Sequence, residues 1–148
     1  MLKLLPLALF ALFATLQAAF AEPMSRESMS AHVFAPMTLG EPVNDNGVFE
    51  LLNAGGGHVG YAFETEPMAP LPGFSGAPIN LLVQVDLEGR FLDVRLISHN
   101  EPIFVSGLGE APFHAFVAQY KGHSIADSLV VGTPYGAGAD GSGLIYLD

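Results

Sequence analysis

Between Ile79 and Leu87 every odd position is apolar (Ile79, Leu81, Val83, Val85, Leu87), and Asn80, Gln84 and Asp86 fall between them. A period of two marks a strand with one buried face, and Leu82 is the exception to it. From Phe91 to Ser98 the phase reverses, with Leu92, Val94 and Leu96 set against Asp93, Arg95 and Ser98. The link Glu88-Gly89-Arg90 holds a glycine suited to a tight turn, so the two runs are expected to pair as an antiparallel hairpin. Further on the period lengthens. Phe113, Phe116, Val117 and Tyr120 fall at i, i+3, i+4 and i+7, on one face of a short helix. Pro112 suits the first turn of that helix and Gly122 the position just past its end.

The flanking segments add shorter elements. In His58–Glu64, Val59, Tyr61 and Phe63 share a face, which predicts a strand, whereas 48–53 fits either a brief helix or a strand. Residues 22–54 read as an N-terminal arm, with a helical turn near 22–30 and breaks at Pro36 and Pro42. Residues 66–78 carry four prolines and two glycines and read as a loop. Beyond the helix, 125–131 resembles a connecting strand, 133–143 is a Gly-rich loop, and 144–147 forms a last strand. The expected fold class is α+β: an antiparallel sheet with helices packed on it, in a single domain spanning 55–148.

Residues 1–21 change the compartment. Lys3, an apolar run from Leu4 to Leu16 and an Ala19-Phe20-Ala21 ending make a secretory signal, the alternative being an uncleaved N-terminal anchor. Removing them leaves 127 residues, one domain's worth, able to bury about two-thirds of the unfolded chain's surface. That remainder holds Arg26, Arg90, Arg95 and Lys121 against fifteen acidic residues, a formal charge of -11. Such acidity argues against nucleic acid and anionic lipid as partners. There is no cysteine, so this exported domain relies on its core, and it cannot ligate an iron-sulfur cluster or a Cys-bound zinc.

Candidate chemistry gathers between the hairpin and the helix. Gly107-Leu108-Gly109 precedes the helix N-terminus, where free backbone N–H groups and the helix dipole favour an anion or an electron-rich carbonyl; a plain turn explains the same spacing. Pro112 stands where a dinucleotide fingerprint needs its third glycine, and the strands are not in a βαβ unit. His99 and Glu101 lie in the same loop, either as ligand contacts or as a hairpin cap and a solvated acid. The five histidines show no metal-ligand spacing and no Gly-x-Ser-x-Gly elbow is present, so neither a metal nor a catalytic residue is assigned. Phe113, Phe116 and Tyr120 are explained as core by their helical spacing, with room for one of them to touch a ring edge.

The run from Gly73 through His99-Asn100-Glu101-Pro102 to Gly107-Leu108-Gly109-Glu110, followed by a helix ending in Gln119-Tyr120-Lys121-Gly122, resembles the FMN-binding domain of the NosR/NirI regulatory proteins of denitrification. More distantly it is similar to the flavin-carrying subunits of ion-pumping NADH:quinone and ferredoxin:NAD oxidoreductases. The resemblance covers roughly 55–148. It implies FMN as cofactor, with His99, Glu101, Gly107, Leu108, Gly109 and Gly76 beside it, and an electron-transfer module in the periplasm or on the periplasmic face of the inner membrane. The partners implied are nitrous oxide reductase or a membrane electron-transfer chain. In that family FMN is joined by a phosphoester to a threonine in a motif after the last strand. No residue of this chain matches that threonine, and a chain ending at Asp148 is expected to be an N-terminal fragment. The alternative is a flavin-free periplasmic sensing or interaction domain, with a hydrolase ranked last.

Overall fold

The computed structural model describes residues 21–128, 130–132 and 144–146. In chain order the elements are α1 (Arg26–Ser30), β1 (Thr38–Pro42), β2 (Phe49–Leu52), β3 (His58–Glu64), β4 (Asn80–Asp86) and β5 (Phe91–Ser98). A π-helical turn (Phe104–Leu108), α2 (Ala111–Ala118), β6 (Val130–Gly132) and β7 (Leu144–Tyr146) follow. Strands β1 to β5 form one sheet in sequence order, each antiparallel to its neighbours, and β6 and β7 form a separate parallel pair. The secretory signal read at 1–21 and the Gly-rich loop read at 133–143 lie outside the described residues, apart from Ala21.

The hairpin at the sheet's edge forms as its alternation predicts. Its turn is set by Asp86, whose Oδ1 accepts from the Glu88 and Arg90 backbone N–H groups at 3.0 and 2.7 Å. Gly89, at φ +77°, supplies the left-handed residue that closes such an Asx-type turn. Residues 48–53 resolve to a strand, β2. Together with β1 it extends the sheet through the segment read as an arm.

Register assigns the faces. Leu39 lies opposite Leu51, Phe49 opposite Ala62, Glu64 opposite Leu82 and Ala62 opposite Gln84, so these residues share one side. Met29 of α1 plugs that side at 0% exposure, with Met24, Val33, Phe34 and Met37 packed around it. Ser25 caps α1 by accepting from the Ser28 N–H, and the Arg26 guanidinium donates to the Leu39 carbonyl at 2.7 Å, fixing the helix to β1.

Here the structure corrects the alternation argument. Asn80 and Gln84, placed by their polarity on a solvated face, are 5% and 0% exposed, and Leu82 between them belongs to the core. Residues 24–37 cover this face, and the polar groups under them are bonded. Glu64 accepts from the Met24 N–H and from Asn80 Nδ2, both at 2.6 Å, while Gln84 Oε1 accepts from the Phe34 N–H at 3.4 Å. Buried polar groups that find partners stabilise one arrangement of chain, so these three side chains hold the N-terminal segment to the sheet.

Candidate functional site

The opposite face presents Leu81, Val83 and Val94, with Val83 opposite Val94 and Leu81 opposite Leu96. Above them α2 lays down Phe113, Phe116 and Val117, with Tyr120 just past its end, and residues 69–79 close a third side. Between these walls lies a cavity of about 490 Å³. Among the described residues its lining is almost wholly apolar and aromatic, carries no Lys, Arg, Asp or Glu, and has Thr65 and Tyr120 as its polar side chains. Thr65 is already engaged, since its Oγ1 accepts from the Leu81 N–H at 3.0 Å. A concave apolar space of this size is the usual form of a small-molecule site.

His99 and Glu101 stand beside the cavity rather than in its lining. The His99 side chain is 5% exposed, with its ring edge-on to Phe104 at 5.7 Å and stacked with Phe113 at 6.4 Å. Phe113 is thus the partition between His99 and the cavity. His99 Nδ1 accepts from the Glu101 N–H at 3.0 Å, which leaves the ring proton on Nε2, facing Glu110 Oε1 at 3.2 Å. The other carboxylate oxygen of Glu110 lies 3.4 Å from His114 Nε2. Glu110 is the N-cap residue of α2, and its carboxylate faces the two histidines rather than capping the helix N–H groups.

Glu101 is buried at 5% exposure, and its Oε1 accepts from the Ser75 N–H at 3.2 Å and the Ser75 Oγ–H at 3.0 Å. The fit is close. A Cβ on Gly73 would lie 2.2 Å from that same oxygen, so only glycine lets the loop backbone reach the carboxylate. Gly76, three residues along, is exposed at the loop tip. Gly107 and Leu108 belong to the π-helical turn, and Gly109 follows it at φ +70° and ψ −176°, a positive-φ conformation open chiefly to glycine that lets the chain leave the turn and enter α2. The sequence-derived residues therefore gather on two loops that meet at Glu101, at one end of the cavity.

What sequence reasoning missed is the cavity itself. Its lining draws on the odd face of β4, the helix aromatics and the proline-rich loop, and by pattern alone each of these reads as packing or a turn, with a ring-edge contact open to one of the helix aromatics. Gly73 and Glu110 carried no signal as isolated residues. Among the described residues no group of three or more His, Cys, Asp or Glu is placed to hold a metal ion, and no helix is long and apolar enough to cross a membrane.

Regulatory protein NosR of Pseudomonas aeruginosa is 40% identical over 103 residues, which is 69% of this chain. Regulatory protein NosR of Stutzerimonas stutzeri is 38% identical over 74 residues, or 50% of the chain. This chain is a relative of the NosR and NirI proteins. Protein NirI of Paracoccus denitrificans is 33% identical over 64 residues, 43% of the chain. The chain spans only 14%, 10% and 9% of the length of these three relatives. No family model matches it. The NosR/NirI relationship thus rests on local matches of 103, 74 and 64 residues within much longer proteins.

Proposed function

We propose that this chain is an extracytoplasmic FMN-carrying module that passes electrons within a NosR-like protein supporting nitrous oxide reductase. The observation that carries the reading is the charge-free aromatic cavity between the sheet and α2, in a relative of NosR and NirI. An isoalloxazine ring is planar, aromatic and uncharged when oxidised, and a lining of this kind suits it. The flavin phosphate would stay outside, because the lining offers it no Lys or Arg.

When bound, FMN supplies one- and two-electron redox chemistry that no side chain of this protein supplies. The residues here would hold and tune it. Leu81, Val83 and Val94 form the floor, Phe116 and Tyr120 bound the ring, and the apolar walls exclude water and lower the local dielectric. Behind Phe113, the His99–Glu110 pair fixes the start of α2, and with it the aromatic wall.

A second reading, a flavin-free sensing or interaction domain, draws on Leu71, Phe74, Ile103 and Val105, large apolar side chains exposed on the two loops that meet at Glu101. Titration of the chain with FMN, followed by flavin fluorescence, separates the two. The flavin reading expects saturable quenching in the parent and at least tenfold weaker binding in Val94→Phe, whose added ring occupies the cavity. Absence of quenching, or equal binding by the variant, favours the interaction domain.

A further inference from the structure

We infer that residues 69–78 are a strap across the cavity and that Glu101 is the latch that holds it there. Ala69, Leu71, Pro72 and Gly73 contribute to the cavity's lining, so this segment is one of its walls. Its base is fixed to the sheet: Thr65 bonds to Leu81, and the Glu66 N–H donates to Asn80 Oδ1 at 3.2 Å. Its tip is different. Residues 71–78 bond mainly among themselves, with the Gly73 N–H donating to the Ala77 carbonyl at 2.8 Å and the Gly76 N–H to the Gly73 carbonyl at 3.1 Å.

Among the described residues, the hydrogen bonds that tie this tip to the remainder of the molecule run to the Glu101 carboxylate. The backbone that carries this carboxylate is itself held, since the Glu101 N–H donates to His99, and the Phe104 and Val105 N–H groups donate to the Glu101 main-chain carbonyl, each at 3.2 Å. A buried carboxylate with neutral donors as partners is a strong hydrogen-bond acceptor, and it joins a mobile class of element, a proline- and glycine-punctuated loop, to the rigid loop before α2. The strap also carries Leu71 and Phe74, exposed at 76% and 94%, at the edge of an apolar cavity. Release of the latch would let the strap lift, and its return would place apolar side chains over a bound ring. The latch stands on this geometry alone; that the traffic is a flavin ring rests on the function proposed above.

The test compares the full chain with Glu101→Ala, Glu101→Gln and Gly73→Ala. Glu101→Ala removes the acceptor, Glu101→Gln keeps an oxygen in its place, and Gly73→Ala drives a methyl into it. Two readouts are followed: amide hydrogen exchange, and the rate at which the uncharged apolar dye Nile red enters the cavity. The latch predicts that Glu101→Ala and Gly73→Ala raise exchange at the Gly73 and Ser75 amides, and dye entry, by about tenfold or more, while the Leu82 and Gln84 amides keep the parent's rates. Glu101→Gln stays within about threefold of the parent. Unchanged strap exchange in Glu101→Ala, a rise shared equally by β4, or a Gln variant as loose as the Ala variant overturns the latch. FMN titration of the same proteins keeps the two proposals apart. A strap that loosens in a protein without FMN affinity retains the latch and removes the flavin, and FMN binding with an unmoved strap does the reverse.

Discussion

On one face of the sheet Leu51, Leu82 and Gln84 lie fully covered beneath residues 24–37, and the polar groups among them are paired with backbone or side-chain partners. On the other face Leu81, Val83 and Val94, carried by β4 and by its neighbour β5, border a cavity of about 490 Å³. The sequence pattern alone points the wrong way here, since the side with the polar residues is the sealed one. Sealing with Glu64, Asn80 and Gln84 gives a cover fixed in one position by directional bonds. Closing the apolar side with a short helix and a loop leaves space that a ligand can enter. The first face specifies the fold and the second has the shape of a site.

Substitutions that exchange the characters of the two faces test that division. The largest effect is expected for Leu82→Ala, which empties a fully packed position and should cost about 2–5 kcal/mol, whereas Leu81→Ala, beside existing space, should cost less than half as much. Urea unfolding of the two variants measures the ratio. Next comes Glu64→Ala, which leaves the Met24 N–H and the Asn80 amide without their acceptor and should cost about 1–3 kcal/mol. Glu64→Gln keeps one acceptor oxygen and should fall between that variant and the parent. Filling the other face should cost little: Val94→Phe is expected to stay within about 1.5 kcal/mol of the parent, as its ring enters open volume, and yet to weaken FMN binding by at least about tenfold.

The smallest effect lies away from both faces. The Ser124 N–H, bonded to Asp127 at 2.8 Å, together with His123 and Arg90, holds the Asp127 carboxyl below its ordinary value. A carboxyl depressed in the folded state adds stability that is present above its unfolded value of about 3.9 and is lost as pH falls through the lower folded value. An NMR titration should therefore place the Asp127 midpoint below that value. Asp127→Asn should slightly flatten the acid limb of the stability profile.

The hairpin, the strand His58–Glu64 and the helix were legible because each rests on a local period or a local turn. β4 and β5 needed only their alternation and the Asp86–Arg90 turn, and α2 only its aromatic spacing and Pro112. The burial of Asn80 and Gln84 was not legible, because it depends on residues 24–37 crossing the sheet some fifty positions away in sequence. Of the candidate site, the meeting of His99 and Glu101 followed from their being two apart in one loop. Their partners Ser75, Gly73 and Glu110 come from other segments, and nothing local marks a glycine as the one whose Cβ would strike a carboxylate. The cavity was least legible of all, since an unfilled volume is a property of three walls together and belongs to no residue's pattern.

The most direct test is to map a flavin onto the two faces. Backbone amide shifts of the isotope-labelled chain, followed as FMN is added, should move at Leu81, Val83, Val94, Phe116 and Val117 and stay still at Leu39, Leu51 and Met29. Shifts confined to the residues beneath the N-terminal segment, or no saturable shift anywhere, would contradict a flavin site between the sheet and α2.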